Sequence, residues 1–473
     1  MSRRDELFVS TAAPLARRAT KAAPPERSQG RAFLGLRLVW LAAACALGSV
    51  ACGSDEGPGA QFPLPGGGQV GAGDLSGQPQ AGQQWAISDQ SSARGEASNR
   101  PKMSDQALAL YNQGMQAFVT GDLATAKSSF QAATQADARA YQAHYSLGVV
   151  LDRLRDPAAA ASYKQAYTII PDYEPAIVAF AIHKARRAQM GEAEALLNQK
   201  RNEMPKSAAV LAALAEVKSL AKDTGSAQKL ASEALKLNPD YRPAMVVIAR
   251  DHYRNRRLDL ALYALQAILD GLDAENPARD KENAEALLLR GLIYKEQGNR
   301  GGAIEQFQRA VARRPDLVEA RVQLATFLLE AGSADQALPV IEGAIRFDQQ
   351  SLPAHLLLGD AYRLLGRFPE AKARFEWVVG RDASLPMVHY NLGLLYLFAP
   401  SIPGMTPMQQ VDAATASLKK FQELRSKGES DDSDELLNRA KLKRGELEAQ
   451  QAAAAPPAAA PAPPAPAPAA PTP

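Results

Sequence analysis

Residues 287–315, LLLRGLIYKEQGNRGGAIEQFQRAVARRP, carry the pattern from which the fold follows. Two apolar stripes at helical spacing run through the segment, punctuated by Gly291, Tyr294, Gly298, Ala303, Phe307 and Ala310 and stopped by Pro315. The same punctuation returns at 358–375, through Gly359, Tyr362, Gly366 and Ala371. Outward from these copies, a small residue that lets two helices approach recurs at Gly114, Gly148, Ala181, Ala215, Ala249, Gly291, Ala325, Gly359 and Gly393, at spacings of 34, 33, 34, 34, 42, 34, 34 and 34. Twelve residues after most of these stands a second alanine, as at Ala126, Ala193, Ala303 and Ala371, with Ala159 one early after a deletion. A bulky apolar residue usually follows four later, as at Phe130, Tyr163, Leu197, Leu265, Phe307, Ile341 and Phe375. Each unit has too little core to stand alone, so neighbours must stack to bury it.

This 34-residue period resembles the tetratricopeptide repeat, a helix-turn-helix hairpin. The resemblance covers roughly residues 105–427 and implies an all-α solenoid, a right-handed superhelix of about nine hairpins. Two departures interrupt the register: an eight-residue excess around 270–281 (DGLDAENPARDK) and a Pro-rich insertion at 400–407 (PSIPGMTP) in the ninth unit. Both are expected to project as loops, each either a tolerated insertion or a partner contact. Within 428–451, the polar-faced stretch SDELLNRAKLKRGELEAQ predicts a capping helix over 433–450. Residues 452–473 read as a disordered Pro-Ala tail, extended and partly polyproline-like.

At the other end, Arg31 and Arg37 precede fourteen uncharged, mostly apolar residues at 38–51 (LVWLAAACALGSVA). That run is too short to span a bilayer comfortably and has the shape of an export signal. Composition then turns abruptly to Gly-Ser-Asp-Glu-Gly-Pro-Gly after Cys52, which resembles a bacterial lipoprotein signal. The resemblance implies that 1–51 is leader and signal peptide and that Cys52 is acylated. Ser49 stands where such signals usually carry Leu, and Cys45 is the rival acceptor, although it would leave only seven apolar residues, 38–44. Residues 1–30 read as an overlong leader or as a start codon set too far upstream. In the resembled lipoproteins Asp after the Cys favours the inner membrane; Gly53 stands here, which implies the periplasmic face of the outer membrane. Residues 52–104, rich in Gly, Gln, Ser and Ala, read as a flexible tether spanning roughly 40 Å root-mean-square.

The 473 residues carry a formal charge of +3, but eight basic residues face three acidic ones through Ala51. The remainder holds 46 basic and 48 acidic residues, which gives no net drive toward nucleic acid. Five His and two Cys exclude zinc ribbons, Cys-Cys redox motifs and disulfide frameworks. No zinc-peptidase, nucleophile-elbow or phosphate-loop motif appears, so an enzyme, a metal site and any cofactor beyond the covalent lipid are not expected. His144, His355 and His389 share one place, four residues before the small residue, and read as packing groups. Asp431 and Asp432 lie in a low-complexity stretch and read as solvated.

What remains is a surface. In arrays of the resembled kind the first helix of each hairpin lines a concave groove, and helical register places Tyr145, Arg153, Arg186, Arg250, Tyr253, Arg254, Lys295 and Tyr390 on or near it. The middle is basic and the ends are more aromatic, which suits an extended segment that is acidic at its centre and apolar at its ends. The alternative is a solvated face whose arginines pair with local acids. The layout of anchor, tether, nine units and Pro-Ala tail resembles the tetratricopeptide lipoprotein of the adventurous gliding-motility complex of gliding bacteria. That implies a non-enzymatic scaffold binding envelope proteins in its groove. The runner-up resemblance is to pilotins, lipoproteins that carry a secretin or pilus component to the outer membrane.

Overall fold

A computed structural model describes Ile87, residues 100–426 and residues 431–454. The leader, Cys52, most of 52–104 and the tail beyond 454 lie outside the described residues. Those described form nineteen α-helices and no strand. Unit one pairs α1 (Asp105–Thr120) with α2 (Leu123–Ala136), unit two α3 (Tyr141–Arg153) with α4 (Ala159–Ile169), and unit three α5 (Glu174–Arg186) with α6 (Met190–Glu203). Unit four holds α7 (Ala208–Leu220) and α8 (Thr224–Leu237), unit five α9 (Arg242–Arg254) and α10 (Leu258–Leu269), and unit six α11 (Ala284–Glu296) and α12 (Arg300–Arg313). Unit seven holds α13 (Val318–Glu330) and α14 (Ala334–Phe347), unit eight α15 (Leu352–Leu364) and α16 (Phe368–Val379), and unit nine α17 (Pro386–Phe398) and α18 (Pro407–Leu424). The last helix is α19 (Ser433–Ala454).

Local chemistry explains the hairpins. In units one to eight the first helix ends in a left-handed residue: Gly121, Gly298, Gly332 and Gly366 in units one, six, seven and eight, but Arg155, Ala188, Lys222 and Arg256 in units two to five. Several second helices then start on a side-chain cap, Asp122, Asp223 and Asn299 accepting from the backbone N–H three residues on. Inside each hairpin the small residue of the sequence pattern meets the bulky one. A Cβ on Gly114 would lie 2.7 Å from the Phe130 ring, and one on Gly148 or Gly291 would lie 2.5 Å from Tyr163 or Phe307. The missing methyl group therefore lets the backbone rest on a buried ring.

Odd-numbered helices also pack on one another from α3 through α11 and again from α13 through α17, most closely α5 on α7 and α7 on α9. Odd helices thus form the inner layer of a curved stack and even helices the outer. The curvature is tight enough for the stack to return on itself. Phe118 of unit one meets Phe347 of unit seven edge to face, ring centres 6.1 Å apart, and Arg153 and Arg155 of unit two pair with Asp316 and Asp348 at 3.3 and 3.2 Å. Ile87 lies in the buried apolar cluster of units one and two, with 1% exposure.

Both insertions are ordered. The 270–281 excess is pinned by backbone bonds from Leu272 N–H to Asn276 and from Asp280 N–H to Ile268, and Arg290 binds Asp270 at 2.5 Å. In the 400–407 insertion Ile402 is buried, Thr406 and Gln409 make a capping box for α18, and the Gln410 amide donates to the Tyr396 and Ala399 carbonyls. The helix α19 packs on α18.

Candidate partner-binding face

The inner layer brings acids and arginines of several units into one line. Arg254 lies 2.8 Å from Glu216, Glu216 lies 3.2 Å from Arg250, and Arg250 lies 2.9 Å from Glu285. Glu285 is in turn 3.2 Å from Arg314, Arg314 is 3.3 Å from Asp316, and Asp316 is 3.3 Å from Arg153. Seven charges of alternating sign thus run from units four and five, through unit six and the α12–α13 junction, to unit two. Burial opposes the ionised form of Glu216, but Arg250 and Arg254 outweigh it and hold the carboxyl at about 2. Burial likewise opposes ionised Asp316, whose side chain is wholly enclosed, yet Arg314 and Arg153 keep it below the ordinary carboxylate range. Close by, Arg321 is 1% exposed and donates to the Pro315 carbonyl at 2.7 Å. Burial and neighbouring Arg346 pull its guanidinium down to about 10.

Of the residues that register places on the groove, Arg153, Arg250 and Arg254 therefore meet in one network whose three carboxylates balance most of its four positive charges. Tyr253 donates its hydroxyl to Glu296 at 2.7 Å, and Lys295 donates to Gln323 at 2.9 Å. Arg186 is exposed. Burial lifts Asp152, but the His183 ring 2.7 Å away, with Arg186 and Arg153, holds its carboxyl below the usual value. Tyr145 is half-buried beside the rings of Tyr163 and Tyr173. Tyr390 stands apart at the far end, its hydroxyl donating to Asp432 at 2.9 Å.

That last contact corrects the reading of Asp431 and Asp432 as solvated. Asp431 pairs with Arg425 and has a nearly enclosed side chain, and Asp432 accepts from Tyr390, because α19 folds back on unit nine and carries the preceding acids with it. The histidines at the shared position do more than pack. His144, His355 and His389 each hold, through Nε2, the backbone carbonyl six residues earlier, at 3.3, 3.0 and 2.9 Å, and so tie the loop entering their unit to its first helix. Among the described residues no group of three or more His, Cys, Asp or Glu is placed to hold a metal, and no helix is long and apolar enough to cross a membrane.

Sequence reasoning missed the acids of the network. Glu216 occupies the same register in unit four as Arg250 does in unit five, so its place on the inner face was readable from the period. Asp316 and Asp348 were not, because they sit in loops and meet partners 163 and 193 residues away.

The family models that match agree with this architecture. Two family models described as tetratricopeptide repeats match, one over residues 111–175 and the other over 294–351 and 328–384. Among solved structures, the anaphase-promoting-complex hetero-tetramer Cut9–Hcn1 is 14% identical at a TM-score of 0.47, covering 72% of this chain and 77% of that one. PilW, titled a widely conserved type IV pilus biogenesis factor, is 20% identical at 0.32 and covers 44% of this chain and 94% of its own. PilF of Pseudomonas aeruginosa is 20% identical at 0.30, covering 46% and 96%. Likenesses of that size do not transfer one stack's partners to another. Over residues 111–175 and 294–384 the chain carries tetratricopeptide repeats.

Proposed function

We propose that this chain is a non-enzymatic scaffold, acylated at Cys52 and held at the periplasmic face of the outer membrane, which gathers envelope proteins of a gliding machine along its inner face. The observation that supports a scaffold is the inner layer itself, where side chains of units two, four, five and six and of the α12–α13 junction converge on one continuous line. A stack of this kind presents an extended surface to an extended segment. Tyr145, Arg186, Tyr253, Lys295 and Tyr390 supply its contacts, and an acidic segment competes with Glu216, Glu285 and Asp316 for Arg153, Arg250 and Arg254. The envelope location is supported by the 38–52 stretch, and the gliding assignment by the layout of anchor, tether, array and tail.

The test is affinity purification from crosslinked membranes, beside a Cys52→Ala chain, with mass spectrometry of what co-purifies. Several gliding-complex envelope proteins, lost or scrambled without the anchor, support the scaffold. A single dominant secretin replaces it with the pilotin reading, and behaviour independent of Cys52 overturns the lipid anchor.

A further inference from the structure

The return of the stack onto itself joins parts of the chain that no neighbour contact connects. The hairpin tips of units one and two touch the loops that bound unit seven. Phe118 and Phe347 are both enclosed where they meet, and a Cβ on Gly121 would lie 2.9 Å from the Arg346 Cβ, so the backbones approach closely. On either side stand the Arg153–Asp316 and Arg155–Asp348 pairs. The units between stack chiefly on their nearest neighbours, so a small change of angle at each junction adds up at the seam. The ring contact, the Gly121–Arg346 approach and the two ion pairs thus join the two ends of such a spring.

We propose that units one to seven form a latched turn, closed by Phe118 on Phe347 and by the Arg153–Asp316 and Arg155–Asp348 pairs, and that opening this latch is what admits a partner to the inner face. Closed, the turn keeps Arg153 on Asp316 and the charge line complete from unit five to unit two. Opened, it uncovers both phenylalanines and frees two arginines beside them. On units one and two the surface so exposed has Phe118 at its centre and Arg153 and Arg155 at its rim, the complement of an acidic segment with an aromatic or aliphatic anchor. The second half of the proposal rests on the scaffold reading; the latch itself does not, and its test needs no partner.

The test places a spin label on α2 and another after α14, at Ser128→Cys and Gln349→Cys, in the full chain with Cys45→Ser and Cys52→Ser. The distance between labels is read at ~0.1 M and ~1 M salt, where screening lengths are roughly 10 and 3 Å. At low salt one short, narrow distance is expected. In Arg153→Glu/Arg155→Glu the distribution should broaden and move outward by on the order of 10 Å, one helix diameter, with helical circular dichroism unchanged. The charge swap Arg155→Asp/Asp348→Arg should restore the short distance. If the double variant loses helix, Arg155→Glu alone serves, since that side chain is 61% exposed and supports no core. A long distance in the parent chain at low salt, or one that neither salt nor charge reversal moves, overturns the latch. Either result leaves the pull-down of envelope proteins standing as a separate question.

Discussion

Units three to five and units six and eight fill the same space in opposite ways. In units six and eight a glycine on the first helix, Gly291 or Gly359, lies against a phenylalanine sixteen residues later, Phe307 or Phe375. The corresponding pairs in units three to five are Ala181 with Leu197, Ala215 with Ala231, and Ala249 with Leu265, all enclosed. Volume is traded across the contact, a methyl group on one side for a ring on the other, and each solution reaches a packed interior. The turns divide similarly. Units six and eight place glycine at the left-handed position, whereas units three to five hold Ala188, Lys222 and Arg256 there. The middle units also carry the ionic inner face. At the C-terminal end that face turns apolar, with Leu364 and Phe398 exposed and Tyr390 turned toward Asp432. The same hairpin thus serves as a charge-matched wall in the middle and an apolar one at the end.

The largest expected effect lies in the ionic middle. Glu216→Ala leaves two largely enclosed arginines short of their shared carboxylate and should cost about 3 kcal/mol by chemical denaturation. A Glu216 carboxyl at about 2 in the folded chain, against an ordinary 4.5, is a depressed value. Its stabilisation is therefore present above pH 4.5 and is lost as pH falls toward 2, a contribution of about 3 kcal/mol across the window. Melting at pH 7 and pH 3 should show that loss in the parent chain and a shallower one in Glu216→Gln. Equal slopes would mean that the middle is no more acid-sensitive than the rest.

Next in size is the volume trade. Gly291→Ala drives a methyl group to 2.5 Å from the Phe307 ring, and overpacking of this kind costs about 1–3 kcal/mol. Phe307→Leu in the same chain should recover most of it, giving a coupling term in a double-mutant cycle. Ala249→Gly in unit five meets no ring and should lose only about 1 kcal/mol through helix propensity. Additive effects at 291 and 307 would break the comparison.

The smallest effects belong to the turns. Nothing lies within 4 Å of a Cβ built on Gly298, so Gly298→Ala tests backbone conformation alone and should cost about 1 kcal/mol. Ala188→Gly relieves the same strain in unit three, where φ is +61°, and should stabilise by somewhat less than 1 kcal/mol because glycine also loosens the unfolded chain. If both substitutions destabilise, the middle turns are held by contacts that the backbone angle does not reveal.

The hairpins, their number and their inward helices were legible because each depends on residues within one period. Gly291 and Phe307 are sixteen positions apart, and a recurring small residue followed by a large one is visible in a line of text. So is the side of the helix on which Arg250 lies. What those arginines touch was not legible in the same way. Arg250 meets acids from the units before and after it, and the basic stripe becomes a line of alternating charge once Glu216 and Glu285 are added. The seam is further still from local reading. Whether Phe118 reaches Phe347, or Arg153 reaches Asp316, depends on small angles summed over the units between, and no period encodes that sum. The fold of each unit follows from short-range pattern, whereas the state of the inner face, neutralised and closed, follows from curvature that exists only when the whole array is assembled.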